Sequence, residues 1–151
     1  MVETDIKFEP SQGEMLPAPI AASWILEGSP TARTKFLSGS SDGTSNTYIW
    51  DCTAGRFRWR YNCDETLYVL EGLAFVKDAQ GIAHNLDPGM TVFFPAGSSA
   101  EWTVPQYVRK FAILRVPLPG HLALVNRAYS KLKRMIWRDA RGDGPVMFQT
   151  G

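Results

Sequence analysis

The stretch "GRFRWRYNCDETLYVLEG", residues 55–72, decides the fold class. Phe57, Trp59 and Tyr61 alternate with three arginines, and a period of two is that of a β-strand with one apolar face and one cationic face. The aromatic side chains are therefore expected to point into a core. After a short polar turn, "TLYVLEG" has the composition of a second strand, so the stretch predicts two neighbouring strands.

Strand signals extend over most of the chain. Thirteen glycines and ten prolines separate short runs rich in aromatic and β-branched residues, and no long helical period precedes residue 120. The predicted strands cover residues 6–8, 23–26, 34–37, 48–52, 56–61, 66–70, 73–77, 82–86, 91–94, 101–104 and 109–116. So many short strands are typical of an all-β sandwich or small barrel.

The chain changes character at "PLPG", residues 117–120, where two prolines end the β region. Apolar residues three and four positions apart then predict an α-helix from about residue 121 to 138. This apolar stripe comprises Leu122, Val125, Tyr129, Leu132 and Ile136, and it is expected to pack on the barrel or on a second subunit. We predict four segments: an N-terminal arm (1–19), a barrel (20–116), the helix (117–138) and an irregular tail (139–151).

Composition bounds the class of protein. The chain has 151 residues, a formal net charge of +1 and 44% hydrophobic residues, which suits one globular domain with no bias toward nucleic acid or a membrane surface. No run approaches the ~20 apolar residues of a membrane span, and the first residues lack the pattern of a secretory signal. A cytoplasmic location is expected, with Cys52 and Cys63 as free thiols.

A second segment carries a family resemblance. "LDPGMTVFFPAGSSAEWTV", residues 86–104, places turn residues around an apolar strand. With the first stretch it resembles the two motifs of the cupin superfamily: Glu65 and Gly72 fall in register with the first motif, and Gly89, Pro95 and Gly97 with the second. The resemblance implies an all-β, single-domain cupin barrel, that is, a double-stranded β-helix or jelly roll, here followed by a C-terminal α-helix.

The histidines of the family's metal site are missing from this sequence. Trp59, Tyr61 and Ala100 occupy the three histidine positions, and only Glu65 keeps a usual donor. Transition metals need three or four N, O or S donors in convergent geometry. We therefore predict no metal ligands and no cofactor, and disfavour a divalent metal such as Mn, Fe, Ni or Zn.

A narrower resemblance involves "W-x-Y" before "DE", then "YVLEG", "FPAGSSAEW" and "VRK". These segments look like the small single-domain cupins grouped with ureidoglycine aminohydrolase, which include ethanolamine-utilisation cupins. The similarity covers about residues 20–116. If the chain is an enzyme, the resemblance implies a hydrolase- or isomerase-type reaction.

The candidate site residues follow from the motifs. Glu65 is the candidate general base and Tyr61 the candidate acid. The alternatives stay open: a Glu65 carboxylate held by a nearby arginine or backbone amides, and a Tyr61 that is a core phenol with a satisfied hydroxyl. Candidate ligand-binding residues are Trp59, Phe94, Ala100, Trp102, Arg109 and Lys110, of which the aromatic ones are also natural core residues. Strand alternation sends one of Arg109 and Lys110 inward, to neutralise Glu65 or to bind an anion; the sequence leaves open which.

The leading functional hypothesis is a cupin-fold protein that binds a small polar or anionic metabolite inside the barrel without the usual metal, with or without a hydrolase- or isomerase-type step. The alternative is a non-catalytic sensor or protein-assembly module that uses the C-terminal helix as its contact surface. The cupin resemblance also implies a homodimer, because many cupins pair through sheet edges that would otherwise be exposed. No nucleic acid and no membrane partner is predicted.

Overall fold

The structure is a computed structural model that describes the backbone of residues 5–140 and the side chains of residues 5–132. The chain divides into two compact units, Met1–Pro117 and Leu118–Gly151. The strands of the first unit are β1 (Leu16–Pro17), β2 (Ile25–Gly28), β3 (Ala32–Gly39), β4 (Ser45–Arg60), β5 (Asp64–Gly72), β6 (Ala74–Lys77), β7 (Ala83–Leu86), β8 (Thr91–Phe94) and β9 (Ser99–Arg115), with a 3-10 helix at Ala22–Trp24. The second unit contains the helix α1 (Gly120–Ala140).

Two long antiparallel strands, β4 and β9, organise the barrel. They pair from Ser45 opposite Arg115 to Arg60 opposite Ser99, with a shift in register at the centre. One half of this ladder carries β3, β1, β5 and β8, and the other half carries β2, β6 and β7. Inward side chains from both halves share one core that includes Trp50, Phe57, Leu67, Val69, Trp102 and Val108. This arrangement is the jelly roll expected of a cupin barrel.

The central register shift corrects the predicted strand boundaries. Residues 48–52 and 56–60 belong to the single strand β4, which ends one residue before the predicted boundary, and residues 101–104 and 109–115 belong to β9. Gly55 and Pro105, which lie between the predicted strands, are accommodated at an irregularity between Thr53 and Gly55, and both strands stay continuous. The predicted strand at 6–8 is wrong: it pairs with no described strand, and Phe8 is exposed.

The alternation predicted for the opening stretch is confirmed. Phe57 and Tyr61 are buried, and Trp59 packs against the same core from a partly exposed position. Arg58 and Arg60, on the opposite face of β4, are exposed.

Gly72 is needed because two strands approach closely at this position. Its backbone has φ +79°, and a Cβ built here would lie 2.1 Å from the carbonyl oxygen of Tyr107. Only glycine fits both the left-handed conformation and this contact. The glycine that matches the first motif therefore serves the scaffold.

Helix α1 confirms the predicted helix and continues to Ala140, two residues into the segment predicted as tail. Residues 141–151 of that tail lie outside the described residues, as does the side chain of Ile136. The other members of the apolar stripe, Leu122, Val125, Tyr129 and Leu132, are exposed. That this stripe packs on the barrel or on a second subunit stays a prediction. In the described part of the chain, no helix is long and apolar enough to cross a membrane.

Candidate functional site

A buried ion pair lies inside the barrel. The Nζ ammonium of Lys110, on β9, donates a hydrogen bond to Oε1 of Glu65, at the start of β5. The two side chains are only 8% and 6% exposed. Charges this well shielded from water interact more strongly than surface charges, but each costs several kcal/mol to desolvate.

Two tryptophans surround the ammonium. Its Nζ lies 4.8 Å from the ring centroid of Trp50 and 5.2 Å from that of Trp102. Trp50 lies directly opposite Lys110 in the β4–β9 ladder, so both side chains point to the same face. Cation–π attraction at these distances contributes about 0.5–2 kcal/mol and offsets part of the lost hydration.

Tyr61 forms the next wall of this interior. Its hydroxyl oxygen accepts a hydrogen bond from Nε1 of Trp102 at 2.9 Å, and its ring stacks on Phe94 with the centroids 4.3 Å apart. Burial, reinforced by the negative charge of Glu65, raises the pKa of Tyr61 well above its usual range. Tyr61 is therefore a neutral phenol at physiological pH, able to donate a hydrogen bond but a weaker acid than a free phenol.

The three positions of the family histidines carry no imidazole. Ala100 is buried opposite Trp59 in the ladder, and Trp59 meets the rings of Trp24 and Trp50 edge-on at 5.3 and 5.9 Å. The remaining ligand position, Glu65, is paired with Lys110. Among the residues described, no group of three or more His, Cys, Asp or Glu side chains could hold a metal ion. These residues do not fit the family's metal.

The strand pairing shows which of Arg109 and Lys110 faces the barrel interior. Lys110 points inward, whereas Arg109 lies on the outer face and donates from Nη2 to the backbone carbonyl of Ser11. Lys35, on the neighbouring part of this face, donates to the carbonyls of Pro10 and Gln12 at 2.7 and 2.9 Å. Arg109 thus holds the N-terminal arm and does not face Glu65.

Trp50 is the site residue that sequence reasoning missed. In β4 the inward residues are Trp50 and Cys52 before the irregularity but Phe57 and Trp59 after it. Even positions give way to odd ones, so alternation extended back from Phe57 assigns Trp50 to the wrong face. The apolar run "YIW" was the available signal, although it does not indicate which residue faces inward.

The cysteines add no nucleophile to the site. Both are free, with Cys52 buried and Cys63 partly exposed. Burial raises the pKa of Cys52 to about 12 and also raises that of Cys63. Because the thiolate is the reactive form, both are weak nucleophiles at neutral pH.

The fold and the enclosed aromatic interior define a single-domain barrel of the cupin type. The family model of the EutQ-like cupin domain matches residues 39–112 of the chain. This match and the shared fold support assignment to the cupin superfamily. The narrower grouping with ureidoglycine aminohydrolase stays a prediction.

Solved structures with a similar fold include three informative cases. A DUF861-family protein of unknown function from Pseudomonas syringae pv. tomato has a TM-score of 0.64 and 24% identity over 70% of this chain and 46% of its own. The EutQ protein of Clostridium difficile has a TM-score of 0.52 and 25% identity over 58% of this chain and 64% of its own. The chain thus spans less than two thirds of either protein. The polyketide cyclase RemF of Streptomyces resistomycificus shows the same fold, with a TM-score of 0.55 and 18% identity over 77% of this chain and 82% of its own. No curated protein matches the chain.

Proposed function

We propose that this chain is a metal-independent cupin domain that binds a small anionic or polar metabolite in its barrel and supplies its own cation, Lys110. The observation that carries the proposal is the Lys110–Glu65 pair between Trp50 and Trp102. A positive charge held among aromatic rings, away from water, is a strong attractant for an oxyanion.

The ion pair suggests how a ligand is held. An incoming carboxylate or polar group can compete with Glu65 for the hydrogen bonds of the Lys110 ammonium, which frees the Glu65 carboxylate. Glu65 is thereby placed to act as a general base toward the bound ligand. Tyr61, neutral and within the same interior, supplies a hydrogen-bond donor for the bound ligand. A ligand that turns over would undergo a proton-transfer step of the hydrolase or isomerase type.

Entry to this interior requires a local opening. Glu65 is 5% exposed and Tyr61 3%, so a ligand must displace side chains to reach the ammonium. Tyr61 begins the short connection between β4 and β5, and Glu65 follows it by two residues, so this connection is the natural place for such an opening. The EutQ-like match supports the protein class but carries no substrate, and RemF, at 18% identity, supports the fold alone.

The proposal is tested by thermal unfolding of protein stripped of metal with a chelator, against a panel of small carboxylates and neutral polar metabolites. A ligand specific for the folded state stabilises it by about 2.7 kcal/mol at a hundred times its Kd. We expect at least one carboxylate to raise Tm without added metal. The double variant Lys110→Met/Glu65→Gln, which leaves no lone buried charge, should lose this shift. Lys77→Met, at an exposed lysine, should keep it.

Two outcomes would overturn the proposal. One is a shift that appears only with added Mn, Fe, Ni or Zn, accompanied by about one metal per chain that Glu65→Ala removes. The other is the absence of any shift across the panel with a double variant at least as stable as the wild type. In that case the ion pair would be part of a filled core.

A further inference from the structure

The outer face of the barrel carries an unbalanced positive charge on β4. Arg56 pairs with Glu27 at 2.7 Å, and its Nε lies 3.5 Å from Glu101. Arg58 reaches the same Glu101 only at 3.7 Å. Arg60 forms no ion pair with any residue that the structure describes. The neutralisation of the arginine charges by carboxylates therefore weakens along the strand from Arg56 to Arg60.

A surface depression of about 490 Å³ lies at the uncompensated end. It is lined by Arg58, Arg60, Tyr61, Asn62, Gly97, Ser98 and Ser99, with no acidic side chain among them. The guanidinium groups, the Asn62 amide and the Ser99 hydroxyl are all hydrogen-bond donors. Donors of this kind around one concavity suit an oxyanion, and the volume lies within the range of small-molecule sites.

The walls of the depression are held in place by hydrogen bonds between its two loops. The Gly97 amide donates to the carbonyl of Tyr61 at 2.7 Å, and the Tyr61 amide donates to the carbonyl of Ser98 at 3.0 Å. The Ala96 amide donates to Oδ1 of Asp64 at 2.9 Å. A site formed before binding loses little conformational entropy when a ligand arrives.

We propose that this depression binds the carboxylate or phosphate group of a small metabolite, with Arg58 and Arg60 as the principal ligands. Guanidinium groups bind both kinds of oxyanion in a bidentate manner. The inference goes beyond the proposed function and does not depend on it, because neither Lys110 nor Glu65 lines the depression. Tyr61 is the residue that the two sites share.

The test is an NMR titration of the ¹⁵N-labelled full chain with inorganic phosphate and, separately, with acetate, at low ionic strength. We expect saturable shifts of the amides of Asn62, Ser98 and Ser99 with at least one anion, and at least a tenfold weaker Kd for Arg58→Ala/Arg60→Ala. Arg60→Lys should fall between, because it keeps the charge but loses the bidentate geometry. Arg127→Ala, which removes an exposed arginine of α1, should bind like the wild type.

Tighter binding of phosphate or of acetate assigns the preferred oxyanion, and either result supports the site. Unsaturable shifts, equal losses for Arg127→Ala and the double arginine variant, or undiminished binding by the double variant would overturn it. Lys110→Met/Glu65→Gln should retain anion binding here. The thermal-unfolding test of the barrel site and the NMR test of the surface depression can therefore fail independently of each other.

Discussion

Lys110 and Glu65 form an ion pair inside the barrel although they lie 45 positions apart in the chain. The β5–β9 ladder brings them together, since Lys110 lies opposite Val69 and Glu65 opposite Leu114, and their long side chains extend toward each other along the barrel. Each charge is tolerable in this interior only because the other is present.

Removing one partner should be far more damaging than removing both. Lys110→Met leaves an unpaired buried carboxylate and should lower the free energy of unfolding by about 3–5 kcal/mol, whereas Lys110→Met/Glu65→Leu should recover most of this loss. Denaturant unfolding measures both. Arg115→Met breaks a pair with Asp64 in which the arginine is 57% exposed, and should cost less than about 1 kcal/mol. Equal losses for Lys110→Met and Arg115→Met would contradict the buried pair.

The Tyr61 hydroxyl should contribute to stability through Trp102. Tyr61→Phe leaves the buried Nε1–H of Trp102 without its acceptor, and an unsatisfied buried donor costs about 1–3 kcal/mol. Tyr68→Phe removes a hydroxyl from a residue that is 43% exposed and should change stability by less than about 0.5 kcal/mol. Guanidinium unfolding followed by tryptophan fluorescence compares the two variants. Indistinguishable midpoints would show that the Tyr61–Trp102 bond is not formed in solution.

Asp64 should make the barrel sensitive to acid. Its carboxylate accepts a hydrogen bond from the Ala96 amide and pairs with Arg115. The hydrogen bond from Ala96 and, after it, the charge and hydrogen bond of Arg115 hold the pKa of Asp64 below the usual 3.8. A depressed folded pKa contributes stability that is complete above the unfolded value and is lost as pH falls through the folded one. Asp64→Asn should therefore lower Tm at pH 7, with the gap to wild type closing below about pH 4.

The control for Asp64 is Asp87→Asn, at an exposed carboxylate that forms no ion pair with a described residue. Its Tm should follow the wild type from pH 7 to pH 3. A gap for Asp64→Asn that stays constant over this range would mean that the side chain acts through its shape rather than its charge.

Gly72 and Gly89 form a matched pair for testing the scaffold. Both have positive φ, +79° and +95°, but a Cβ at Gly72 would collide with the Tyr107 carbonyl, whereas one at Gly89 would meet nothing within 4 Å. Gly89→Ala should cost about 1–2 kcal/mol for the left-handed backbone alone. Gly72→Ala should cost several kcal/mol more or prevent folding, as judged by soluble yield and denaturant midpoint. Similar effects at the two positions would exclude the close strand contact.

Much of the fold was accessible from the sequence. The alternation around Phe57 and the glycines and prolines of the two motifs depend on local backbone geometry, so they predicted the strands and their apolar faces before any tertiary contact was known. The resemblance of the two motifs to the cupin superfamily predicted the class. The helix after residue 120 was likewise visible in its apolar period. The strand predicted at 6–8 failed because apolar composition does not supply a pairing partner.

Alternation fixes which residues share a face only within an uninterrupted strand. Between Thr53 and Gly55 one residue of β4 is skipped opposite Pro105 and Gln106 of β9. Because β9 has two unpaired residues here, its even-numbered residues face inward on both sides of the irregularity, and Lys110 shares the inward face of Trp102. Because β4 has only one, its inward residues change from even-numbered before the irregularity to odd-numbered after it, so Trp50 faces the interior.

The sequence by itself therefore determined the class of barrel, the loss of the histidine ligands and the scaffold role of its glycines, because these reside in residue identity and short-range spacing. Only the tertiary structure decided that Lys110 rather than Arg109 faces Glu65 and that Trp50 joins Trp102 around the ammonium. It also decided that Arg60 has no carboxylate partner within the described part of the chain. The physical reason is that strand phase and charge compensation depend on which distant residues lie opposite, and pairing across the sheet, not the order of the chain, sets those neighbours.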